Sequence, residues 1–170
     1  MKKLIVFLLV VGALSFAWKS GLMREALGRD PAVIPNPVYA VIRLRSQFRD
    51  RTIDAVALAK TFDQADCQRD SEDAVDRMTR HQDREGVLVW QLVSSECKSD
   101  LDSRNAKLFD NKPTFANYVS ASPGDASERE FRLIFWGVTA AEGDLMCGEI
   151  PRVQDRWHGT VTCIHALASQ

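Results

Sequence analysis

Four cysteines and three histidines carry the widest chemical repertoire in the 170-residue chain. Cys67, Cys97, Cys147 and Cys163 lie no closer than sixteen residues apart, so they lack the C-x₂₋₄-C pairs of structural zinc sites. Downstream of an export signal, an even count reads as two disulfides in an oxidising compartment, which leaves no thiol nucleophile. His81 closes a charged helix, where positive charge suits the dipole. His158 and His165 fall on one expected strand an odd number of residues apart. They therefore take opposite faces and cannot share a metal through it. Neither H-E-x-x-H nor G-x-S-x-G occurs, so the zinc-peptidase and nucleophile-elbow chemistries lack their residues. The expectation is a non-catalytic protein: no catalytic residue, no metal ligand and no cofactor.

Charge supplies the other candidates. Arg43, Arg45, Arg49 and Arg51 gather on one expected hairpin and are the candidate binding residues. Clustered guanidinia can hold an anion or an acidic partner, and the competing role is to protect a sheet edge against mispairing. Asp63, Asp66, Asp70, Glu72, Asp73 and Asp76 crowd one helix beside Arg69, Arg77 and Arg80. They read as a solvated face, without the Gly and terminal Glu of a calcium loop. Trp90, Trp136 and Trp157 lie in expected strands. Core packing is their default, and a glycan or peptide groove is the functional alternative.

The elements that must position these side chains follow from periodicity. Val38 to Phe48 alternates apolar and basic residues and reads as a strand, with Thr52 to Phe62 returning as its hairpin partner. Asp63 to His81 is a helix whose narrow stripe is Cys67, Ser71, Ala74, Val75 and Met78. Val87 to Cys97 starts apolar on both faces and reads as a buried strand. Lys98 to Lys112 holds a short helix carrying Leu101, Leu108 and Phe109, closed by Pro113. Thr114 to Ser122 and Phe131 to Val138 are strands around a Pro123-Gly124-Asp125 turn, the second dense enough to be central. Thr139-Ala140-Ala141-Glu142 is a capping box that opens a helix disturbed by Pro151. Trp157 to Ala166 is the last strand, with Trp157, Val161 and Cys163 on one face.

The order strand, strand, helix with Cys, strand with Cys occurs twice. It implies an α+β domain: an antiparallel or mixed sheet, two main helices on one face, and a duplicated ββαβ unit. The same order sets the bridges. From Cys67 a helix travels about 21 Å outward at 1.5 Å per residue. A strand returns about 30 Å by Cys97, and the second half repeats the path at shorter range. Local pairing, Cys67 with Cys97 and Cys147 with Cys163, is expected.

Met1-Lys2-Lys3, the apolar run from Leu4 and the small residues Ser15 and Ala17 form a signal-peptide pattern with a cut after Ala17. The charge-free stretch Leu4 to Trp18 has 15 residues, short of the roughly 20 that a spanning helix needs. Residues 1–17 are read as signal peptide, 18–37 as a Pro-containing tether and 38–167 as the disulfide-stabilised domain. The compact leader looks bacterial and points to a periplasmic or secreted protein. An uncleaved anchor through residues 4–18 in the inner membrane is the alternative, and the only route to membrane attachment.

With 22 basic and 23 acidic residues, no net field marks a nucleic-acid partner. What remains is an exported binding module of the bacterial envelope, with a protein partner expected, as for an inhibitor or immunity-type protein. The alternative is a peptidoglycan- or glycan-binding domain. A doubled strand–helix–strand unit behind a tether is similar in outline to the peptidoglycan-binding SPOR architecture, by analogy of fold alone and with a different strand order.

Overall fold

Val38–Phe48 (β1) and Arg51–Thr61 (β2) pair antiparallel along their whole length in the computed structural model. The structure describes residues 31, 33–48, 51–80, 90–148, 150–155 and 157–167. The expected signal peptide and most of the tether, together with Arg49 and His81, lie outside these residues. The register sets Ile42 opposite Ala57 and Leu44 opposite Ala55 on one face, and Arg43 opposite Val56 and Arg45 opposite Asp54 on the other.

Gln64–Arg80 (α1), Trp90–Lys98 (β3), the single turn Ser103–Ala106 (α2) and a 3₁₀ turn Lys107–Asp110 follow. The second half brings Asn117–Ser122 (β4), Phe131–Trp136 (β5), Ala140–Gly148 (α3), Ile150–Gln154 (α4) and Thr160–Ile164 (β6). The six strands form one antiparallel sheet in the order β3-β1-β2-β5-β4-β6, so the chain is α+β. β5 is central, as its apolar density implies.

Apolar clusters lie on both faces. Ala74 and Val75 of α1, Met146 of α3 and Trp90 pack against Ile42, Leu44, Ala55 and Phe135. On the other face Leu101, Leu108 and Phe109 cover Val41, Val56, Leu58, Tyr118 and Ile134. Arg132 sits buried in that second layer. Its Nε donates to Leu108 O at 2.9 Å and its Nη2 to Phe109 O at 3.2 Å, so it holds the 3₁₀ turn onto the sheet.

Both expected bridges form, Cys67–Cys97 and Cys147–Cys163. Each joins a helix to an edge strand, β3 or β6. Two disulfides fit an oxidising compartment. No helix among the described residues is long and apolar enough to cross a membrane.

Several expectations are corrected. β3 is an edge strand, not a buried one, and Leu92 and Val93 are 46% and 53% exposed. Helix α3 runs to Gly148 and Pro151 lies in the first turn of the separate short helix α4, where the missing N–H costs no bond. Trp157 lies ahead of β6, its Nε1–H donating to Ser122 O at 2.8 Å. His158 and His165 flank β6 rather than sharing it. Asp66 is not on a solvated face. Its carboxylate is buried, accepts the Phe62 N–H at 3.0 Å and pairs with Arg129 and Arg69. Burial pushes that carboxyl up, but the Phe62 N–H and the two guanidinia more than offset it and hold it below its ordinary value.

The Thr139 capping box is present. Thr139 N and Oγ1 both donate to Glu142 Oε2, at 2.8 and 2.9 Å, and Arg51 donates to Oε1. First the Arg51 bond and then the Thr139 N–H lower the Glu142 pKa from 4.5 to about 2. A depressed carboxylate stabilises the fold above its unfolded pKa, and that contribution is lost as pH falls through the folded value. Stability is therefore expected to decline from about pH 4.5 to about pH 2 in part through this group. Urea titrations across that window should show Glu142→Gln less stable than wild type at pH 7 and with a flatter acid limb. Parallel acid limbs would exclude Glu142 as a contributor.

Candidate functional site

The cover of the α2 face is incomplete. Leu101, Leu108 and Phe109 shield one end of the β1–β2–β5 surface, and the other end lies open as a cleft of about 320 Å³. Arg43 and Arg45 of β1, Asp54 of β2 and Trp136 of β5 line it, with Val56 as an apolar floor. Two local features complete the wall. β3 bulges where Arg43 opposes Ser94 and Leu44 opposes Leu92. The extra residue, Val93, lines the cleft. Asp102 caps α2 by accepting the Arg104 and Asn105 N–H groups at 3.0 and 2.9 Å, and the capped turn brings Arg104 to the rim.

Three guanidinia therefore face one carboxylate. Arg45 Nε donates to Asp54 at 2.7 Å, which raises the already high Arg45 pKa and uses up that charge locally. Among the described residues, no carboxylate lies within ion-pair distance of Arg43 or Arg104. Glu96, near Arg43, is committed to Lys98 at 2.7 Å; the Lys98 bond lowers its pKa first and Arg43 adds least. The cleft thus offers, beside Trp136, two guanidinia that no carboxylate of the described residues pairs with directly. It can hold a carboxylate or similar anion with an apolar group next to it.

Of the four arginines picked from the sequence, the fold joins Arg43 and Arg45. Arg51 lies on the opposite face, where it donates to Gly137 O at 2.6 Å and pairs with Glu142. Its role there is to tie β2 to the start of α3. Arg104 is the cleft residue sequence reasoning missed, since nothing local announces that the 99–116 connection crosses the sheet. Asp54 and Val93 were missed too, because only strand register brings them in. Trp136 packs against the apolar cluster of that face, as expected, and also lines the cleft. Ser95 and Lys98 match S-x-x-K spacing, but three residues apart on a strand they face opposite sides and cannot cooperate.

Comparison with protein families, curated proteins and solved structures found no match to this chain.

Proposed function

We propose that the protein is an exported, non-catalytic binding module of the bacterial envelope that takes an acidic partner protein, as an inhibitor or immunity-type protein does. The observation that carries this reading is the pair of guanidinia, Arg43 and Arg104, which meet no carboxylate at ion-pair distance among the described residues and open on a concave, partly apolar surface. Trp136 in the same cleft supports a second reading, a peptidoglycan ligand whose sugar stacks on the ring while a stem-peptide carboxylate meets the arginines.

The proposal extends to architecture: a duplicated ββαβ unit with both main helices on one face. Two facts support it. The sheet halves β3-β1-β2 and β5-β4-β6 have matching element order, each with a bridge from helix to edge strand. Residues of α1 and α3 also pack against one apolar cluster.

The test starts with a pull-down from envelope extract, followed by association kinetics with the captured partner across a salt series. The double variant Arg43→Glu with Arg104→Glu should slow association by about tenfold or more, with unchanged unfolding temperature, and salt should weaken wild-type binding. Arg51→Glu should leave association unchanged. Binding indifferent to salt and to the double reversal would remove the cleft from the partner site. Retention on purified peptidoglycan without a protein partner would favour the second reading.

A further inference from the structure

A second cluster lies at the far end of the sheet, where the β4–β5 connection meets the approach to β6. Asp125 and Glu128 come from the first segment and His158 from the second. His158 Nδ1 lies 3.0 Å from Asp125 Oδ2 and 3.3 Å from Glu128 Oε1. One donor atom from each residue falls within 4.8 Å of the other two. Donors bound about 2.0–2.2 Å from a zinc-like ion, at tetrahedral or octahedral angles, sit about 2.9–3.5 Å from one another. Both His158 separations already have that length.

The site is held in place by its surroundings. The Glu128 side chain is only 7% exposed. Its Oε2 accepts Gly124 N at 2.7 Å and Gly159 N at 3.1 Å, and its Oε1 accepts His158 N at 2.6 Å. These bonds fix the carboxylate and leave a lone pair on Oε1 toward the imidazole. Asp125 Oδ1 accepts Ser127 N and Oγ at 2.7 and 2.5 Å, which leaves Oδ2 for the site. The two backbones touch: a Cβ at Gly159 would lie 1.9 Å from Ser122 O, and one at Gly124 would lie 2.3 Å from Gly159 N. Donors from two segments are therefore presented without the ordering cost that a loose loop would carry. The His158 side chain is 74% exposed, so solvent has access.

We propose that Asp125 Oδ2, Glu128 Oε1 and His158 Nδ1 bind one borderline divalent cation of the zinc class. An imidazole nitrogen with two carboxylate oxygens suits Zn²⁺, Co²⁺ or Ni²⁺ better than Ca²⁺ or Mg²⁺. Binding displaces the Nδ1 proton to solvent. Three protein ligands leave positions for water or for a donor from a partner.

The test is calorimetric titration of the untagged, disulfide-intact chain with Zn²⁺, alongside thermal unfolding with and without the ion. One site per chain with micromolar affinity is expected, and zinc should raise the unfolding temperature because it binds only the folded state. His158→Ala and Asp125→Asn should each weaken binding at least about tenfold while keeping the wild-type circular dichroism spectrum. His165→Ala, which removes the imidazole near Asp144, should leave it unchanged. No binding tighter than millimolar would overturn the proposal and leave the cluster as a hydrogen-bonded His–carboxylate clasp. Binding that survives His158→Ala or is lost with His165→Ala would overturn it equally.

Discussion

Arg132→Met is expected to destabilise the domain by about 3–5 kcal/mol, in the range for breaking a buried charged network. Arg132 is fully buried and serves four backbone carbonyls. It reaches Leu108 and Phe109 of the 3₁₀ turn, and Ala121 and Phe131 of β4 and β5, at 2.8 to 3.2 Å. Its guanidinium also lies 4.7 Å from the centre of the Phe109 ring and donates to Glu130 at 2.7 Å. Burial lowers its pKa and Glu130 raises it, with burial the larger effect; an arginine remains charged even so. Methionine keeps the length and the apolar stem but removes the guanidinium donors, so that Leu108 O keeps only the Asn111 N–H at 3.2 Å. Glu130 retains Lys60 at 2.5 Å, so the loss falls on the turn and not on a stranded carboxylate. Urea unfolding checks this, and a loss below about 1 kcal/mol would mean that water replaces the guanidinium. Arg132→Lys restores the charge without the fork and should recover less than half. Because the 3₁₀ turn continues α2, either variant should also loosen Arg104 at the cleft rim and weaken partner binding.

Removing the Cys67–Cys97 bridge through the paired change Cys67→Ala, Cys97→Ala is expected to cost about 2–4 kcal/mol. The paired change at Cys147 and Cys163 should cost roughly 0.5 kcal/mol less on chain entropy alone, since the separations are 30 and 16 residues. Denaturant titrations of both double variants without reductant give the comparison. A reversed order would show that native packing around the bridges outweighs the restriction of the unfolded chain.

Much of this framework was legible because it depends on local chemistry. Alternation in Val38 to Phe48 gave β1, Thr139 with Glu142 gave the start of α3, and helix and strand rises gave both bridges. The arginine cluster was legible only in part. Arg43 and Arg45 share a face by period two, but the face of Arg51 depends on the length of the turn between the strands, and one residue more or less inverts it. β3 misled for another reason. Its apolar start resembles a strand buried on both sides, and only the sheet order shows Leu92 and Val93 at an edge. The cleft stayed hidden because it exists where a cover stops: Leu101, Leu108 and Phe109 shield only one end of the β1–β2–β5 surface, a property of packing that no single segment encodes. Asp125, Glu128 and His158 come together through a backbone crossing, and their separation along the chain gives no sign of it.

The two bridges also determine how the sheet can fail. Sheets ordinarily fray strand by strand from their margins, where hydrogen bonds have neighbours on one side only. Here both marginal strands are covalently fastened to helices. The short interior seams that remain flank β5, with five residue pairs between β4 and β5 and six between β2 and β5. Under load or mild denaturant the oxidised protein should open beside β5 before its margins fray. Once reduced, it should unravel from its rims.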